Sequence, residues 1–112
     1  MSRNHTEDKK DSNHIQISAF VKSLGFEVED FSSMKNGRPD VNWYKQHGQY
    51  IAVEYKSKTG KLTTIQKEWW DNNYNIRKVI CRSISDALDI LCQYGWITKE
   101  NREIIKNKIN TS

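Results

Sequence analysis

The sequence predicts an α/β domain, a small mixed sheet flanked by helices, in the order helix, strand, strand, strand, helix, strand, helix. Three observations carry this. Two strand-forming runs, 41–44 and 50–55, bracket the polar, Gly-containing turn Lys45-Gln46-His47-Gly48-Gln49, which is the pattern of a β-hairpin. Apolar residues recur at helical spacing near both ends of the chain, as in Ile17, Phe20, Val21 and Leu24. At 112 residues the chain has room for one compact domain and none for a separate substrate domain.

Each element has its own justification. Residues 1–10 are polar and lack periodicity, which reads as a flexible tail. Asp11 or Ser12 caps a first helix that runs to about Leu24 and stops at Gly25. Phe26 to Phe31 alternates as a strand, placing Phe26, Val28 and Asp30 on one face. An acid there marks either the strand's wet end or a functional position. Ser32 to Arg38 is a loop with an Asn36-Gly37 turn signal, and Pro39 suits the opening of a strand that starts at Asp40. Thr63 and Gln66 form a capping box at the head of a second helix reaching about Asn73, with Ile65 and Trp69 inward, alone or with Trp70; at least one tryptophan belongs to the core, since adjacent residues cannot put both rings on one helix face. Arg77 to Arg82 forms a short strand. Ser83 and Asp86 cap a third helix ending near Gly95, and residues 96–112 form a weakly amphipathic helical extension. The main domain then spans 11–95.

The hairpin sets a register. With the five-residue turn, Tyr44 faces Tyr50, Trp43 faces Ile51, Asn42 faces Ala52 and Val41 faces Val53. The next pair is Asp40 with Glu54, and directly opposed residues have Cβ atoms roughly 4.5–5.5 Å apart. Alternation puts Glu54 and Lys56 on one face and Val53 and Tyr55 on the other. Two carboxylates that close repel unless one is protonated or a cation lies between them. A site with few carboxylates suits Mg²⁺, which keeps several waters. The bland alternative is a hairpin end carrying three solvated charges.

Composition bounds the remaining classes. No apolar run approaches the ~20 residues of a membrane span, and the polar start has no signal-peptide centre, so a cytosolic protein is expected. Cys81 and Cys92 match no zinc spacing and read as structural. A net charge of +4 and a pI near 9.1 are permissive for a polyanionic partner.

With Pro39-Asp40, then Glu54-Tyr55-Lys56, then Gln66 in this order, the chain resembles the PD-(D/E)xK nuclease superfamily, and within it the small stand-alone VRR-NUC type of phages and bacteria. Supporting phrases are Asn13-His14, Gly25-Phe26-Glu27-Val28-Glu29-Asp30, Gly37-Arg38-Pro39-Asp40 and Gly60-Lys61-Leu62-Thr63. Many members carry Glu in the first helix where this chain has His14, and Gly before the last core strand where Asn75 is nearest.

The resemblance implies a restriction-endonuclease-like core and metal-dependent hydrolysis of DNA phosphodiesters in a phage-encoded or bacterial cytoplasmic protein. Asp40, Glu54 and the backbone carbonyl of Tyr55 would hold Mg²⁺ or Mn²⁺, and Lys56 would orient the water or stabilise developing charge. Gln66 is either a capping residue or a contact to Lys56, water or phosphate. His14 is either a hydrogen-bonded core histidine or a partner of the site. Arg38, Lys58 and Lys61 lie on basic loops that would meet phosphates. Small relatives of this type are similar in acting as homodimers on branched DNA such as Holliday junctions. The competing reading is a non-catalytic nucleic-acid-binding or protein-inhibiting module on the same fold.

Overall fold

The structure is a computed structural model that describes the backbone of residues 2–111 and the side chains of residues 12–110. Its elements are α1 (Ser2–Ser23), β1 (Glu27–Asp30), β2 (Val41–Tyr44), β3 (Tyr50–Tyr55), α2 (Thr64–Asn72), β4 (Lys78–Cys81), α3 (Ile84–Gln93) and α4 (Lys99–Thr111). Helix α1 starts at Ser2 rather than at Asp11 or Ser12. Its first half has no apolar period for the sequence to reveal, and a tail over residues 1–10 lies outside the side chains described.

The four strands lie in the order β1-β2-β3-β4, the first two pairs antiparallel and the last parallel. This is the expected mixed sheet of a restriction-endonuclease-like fold. Every expected hairpin pair from Tyr44–Tyr50 to Val41–Val53 is present. The turn closes with the Lys45 N–H donating to the Gln49 carbonyl at 2.8 Å. It bends through two left-handed residues, His47 (φ 69°) and Gly48 (φ 78°). The ladder stops at Val41, so Asp40 precedes the strand and is not a directly opposed partner of Glu54.

One sheet face is apolar. Val41, Trp43, Ile51, Val53 and Tyr55 alternate onto it and are buried with Ile17 and Val21 of α1 and Ala87 and Leu91 of α3. Each fully buried aliphatic or aromatic side chain contributes about 1.5–3 kcal/mol. Polar atoms of Trp43, Tyr55 and Ser18 are paired in this core: Trp43 Nε1 donates to Tyr55 Oη at 3.0 Å, and Ser18 Oγ lies 2.9 Å from the same oxygen. Burial pushes the Tyr55 phenol up to about 12 despite those hydrogen bonds. Cys81 is likewise buried, its thiol pushed up to about 12 by desolvation, which suits an inert packing role.

The opposite face is polar yet also buried at its centre: Asn42, Ala52 and Glu54 are 8 %, 3 % and 1 % exposed. Helix α2 covers it, and here the sequence reading needs correction. Ile65, expected inward, is 58 % exposed. The partly buried residues of α2 and its cap are Gln66, Trp69, Trp70 and Asn73, an i, i+3, i+4, i+7 stripe. Both tryptophans therefore flank the same inward stripe, and neither is fully buried, whereas the sequence put at least one in the core. The anchor that selects this face is a polar contact from Gln66 to the sheet, which no hydrophobic period detects.

Candidate active site

The end of β3 and the head of α2 build the site. Strand alternation directs Glu54 and Lys56 to the same face, and Glu54 Oε2 lies 3.4 Å from Lys56 Nζ. A carboxylate that is 1 % exposed loses its hydration, which costs several kcal/mol unless partners replace the water. Gln66 supplies a second partner: its Nε2 donates to Glu54 Oε2 at 2.9 Å. Its Oε1 accepts from Lys56 Nζ at 2.8 Å and from the Thr63 backbone N–H at 2.9 Å.

Gln66 is thus both a capping residue and a contact of the acid–lysine pair. Thr63 Oγ1 accepts from the Gln66 N–H at 3.2 Å, completing the capping box. The helix start is therefore tied to the side chains of β3 through one residue. That tie fixes the terminal nitrogen of a long, flexible lysine.

Asp40 reaches the site from just ahead of β2. Its carbonyl accepts from the Phe31 N–H at 2.7 Å, which holds this backbone to the end of β1. Its carboxylate Oδ2 accepts from the Tyr55 N–H at 2.9 Å. The aspartate side chain thus supplies the acceptor for a strand-end N–H beyond the paired stretch that ends at Val41 and Val53.

These features fit a divalent cation. Asp40 is 6 % exposed and has no ion pair among the described residues. The carboxylates of Asp40 and the buried Glu54, with the Tyr55 carbonyl on the backbone that Asp40 grips, form a hard-oxygen set. Among the described residues no three His, Cys, Asp or Glu side chains converge, so an all-side-chain cage of the zinc type is absent.

His14 is placed on the apolar side of the sheet. It is 4 % exposed and meets the Tyr55 ring edge-on, with centroids 4.5 Å apart. Its Nε2 is 3.3 Å from Asp30 Oδ2, although neither ring nitrogen makes an aligned hydrogen bond. Asp30 lies at the wet end of β1, its side chain 57 % exposed. Partial burial pushes its carboxyl up. The Ser32 hydroxyl and N–H, at 2.6 and 2.7 Å, together with His14 outweigh that and hold it below the ordinary value. His14 therefore approaches the site only through Tyr55, the residue whose backbone Asp40 grips.

The basic residues divide. Lys58 and Lys61 are exposed on the loop between β3 and α2. Arg38 is half-buried, its guanidinium stacked 3.7 Å over the Phe31 ring. A cleft of ≈ 230 Å³ joins Arg38, Lys35 and Met34 to Asp40, Ile65 and Gln66.

Sequence reasoning missed Arg82. Its Nη1 donates to the Ser57 and Gly60 carbonyls at 2.7 Å each, clamping the loop that carries Lys58. No local pattern marks such a contact, because its acceptors are backbone carbonyls more than twenty residues away. Also missed was a chain on the polar face, in which Asn42 donates to Tyr44 and Tyr44 to Glu29.

A family model of the VRR-NUC domain matches residues 4–84. No curated protein and no solved structure matches the chain.

Proposed function

The chain belongs to the VRR-NUC domain family, part of the PD-(D/E)xK nuclease superfamily, and from that premise we propose that it is a divalent-metal-dependent endonuclease selective for branched DNA. The observation that carries the reading is the Glu54–Gln66–Lys56 connection beside the uncompensated carboxylate of Asp40.

Asp40, Glu54 and the Tyr55 carbonyl would hold Mg²⁺ or Mn²⁺. When bound, the ion supplies a lowered pKa of the attacking water and neutralises charge on the scissile phosphate. Lys56 Nζ, fixed by Gln66 Oε1, donates to the attacking water or to the phosphate oxygen that gains charge in the transition state. Gln66 keeps Lys56 and Glu54 in register as the substrate enters. His14 packs on Tyr55 and steadies the backbone that Asp40 grips, a positioning role. Lys58, Lys61 and Arg38 meet the phosphates on either side of the cut. Two copies of the chain would present two such centres to opposite strands of a junction.

The test is cleavage of labelled single strand, duplex, flap, fork and four-way junction with Mg²⁺ or Mn²⁺. Paired cuts near the branch are expected, and Lys56→Ala is expected to slow them by about 10²-fold or more. Cleavage of unbranched duplex at the same rate would overturn the branch selectivity. Absence of both cleavage and calorimetric Mn²⁺ binding would assign the chain to the class of inert modules on this fold.

A further inference from the structure

We propose that the cleft beside Asp40 and Gln66 receives one unpaired nucleobase next to the scissile phosphate, gripped between Met34 and Ile65. The inference rests on the nuclease reading and names what that site selects. Met34 and Ile65 are 52 % and 58 % exposed, and both line the cleft that also holds Asp40 and Gln66. They set apolar surface at the rim of a charged cleft, where Met34 Sδ accepts from Arg38 Nη1 at 3.9 Å.

The rim is built, not incidental. Gly37 adopts φ +86°, and a Cβ placed there would lie 2.6 Å from the Ile65 carbonyl and 2.8 Å from its Cγ2. The loop carrying Met34 therefore docks closely on the first turn of α2, which fixes both apolar walls relative to the carboxylates. Arg38 adds a planar cation to the cleft, its guanidinium stacked over the Phe31 ring. A phosphate or base-edge oxygen is the acceptor that the planar donor fork of an arginine suits.

Size and charge decide the occupant. At ≈ 230 Å³ the cleft falls below the roughly 300–1,000 Å³ of pockets for drug-sized ligands, so a base or a sugar fits and a stacked duplex step does not. Lys35 and Arg38 in the same cleft favour a polyanion over an apolar peptide. Apolar wedges that contact bases act on steps that are already unstacked or easily opened, because unstacking costs a few kcal/mol. An unpaired base at a branch has that cost removed in advance.

The experiment measures binding alone, with the full chain in excess EDTA so that no hydrolysis occurs. Two DNA oligonucleotides carry 2-aminopurine, one paired within a duplex and one unpaired at a branch of otherwise equal length. The unpaired probe is expected to bind about fivefold more tightly and to change its emission on binding, from the apolar area covered. Ile65→Ser and Met34→Ser are each expected to erase most of that preference while leaving affinity for the paired probe and the circular dichroism spectrum unchanged. Equal affinity for both probes, a preference that survives both substitutions, or no binding to either would overturn the proposal. Hydrolysis has no part in the readout. A chain that binds with this preference but never cuts would sink the nuclease reading and leave base capture standing, and a chain that cuts without it would do the reverse.

Discussion

Gln66 meets a helix cap and an acid–lysine pair at once, and two substitutions separate those duties. Gln66→Glu keeps an oxygen for the Thr63 N–H and for Lys56, since Glu serves a capping box as well as Gln. It removes the donor to Glu54 and sets a carboxylate against a buried one. Cleavage is expected to fall about 10²-fold, as for loss of a polar group that stabilises a transition state. Thr63→Ala should cost about 1 kcal/mol of stability with little loss of rate. Steady-state kinetics paired with thermal melts read both, and activity that merely tracks stability would reduce Gln66 to a cap. Asp40→Asn tests the uncompensated charge. In metal-free buffer it should leave the melting temperature unchanged or raised, and Mn²⁺ should no longer raise it. Asp30 carries a pH dependence of known sign: its folded pKa lies below the ordinary 3.8. Its contribution is fully present above that value and is lost as pH falls through the lower folded one. Acid unfolding of Asp30→Asn should therefore be less steep below about pH 4 than that of the native chain, as followed by circular dichroism.

At the scale of elements, α2 differs from its neighbours. It has no fully buried residue and is held by Gln66, by half-buried tryptophans and by Lys78, whose Nζ donates to the Asn73 carbonyl at 2.9 Å. Helix α3 buries Ala87, Leu88, Ile90 and Leu91. Hydrogen exchange should open α2 well before α3 and β3, and Gly37→Ala should speed that opening by displacing the loop that docks on Ile65. A left-handed alanine with a backbone clash costs about 1–3 kcal/mol. The same contrast explains what the sequence disclosed. The hairpin register was legible because alternation and turn length are local, and a slip would have turned Trp43 and Val53 out of the core. The caps at Thr63 and Ser83 were legible for the same reason. The inward face of α2 was not, since a buried Glu54 on another strand selects Gln66 over Ile65. Nor was the turning of the Asp40 carboxylate to the Tyr55 N–H, a side-chain-to-backbone contact fifteen residues apart that no local pattern marks.

On the scale of the whole molecule, the proposed partner is a second copy of the chain. Helix α4 lies beyond the residues that the family model matches and packs on α3. It leaves Ile104 and Ile109 52 % and 41 % exposed among basic residues. Thirteen residues rise about 20 Å, and a helix is roughly 10 Å wide, so one face of α4 offers about 200 Å². A stable interface takes about 800 Å² from each partner. Helix α4 can therefore be the centre of a homodimer interface but not the whole of it, and a dimer nucleated there should dissociate at micromolar concentration. Light scattering across a dilution series should show that transition, and Ile104→Lys with Ile109→Lys should leave only monomer. On a four-way junction the same variant should lose paired cuts and keep single nicks, because each catalytic group described above comes from one chain. A variant that still resolves junctions in pairs, or a native chain that stays monomeric at high micromolar concentration, would remove α4 from the interface.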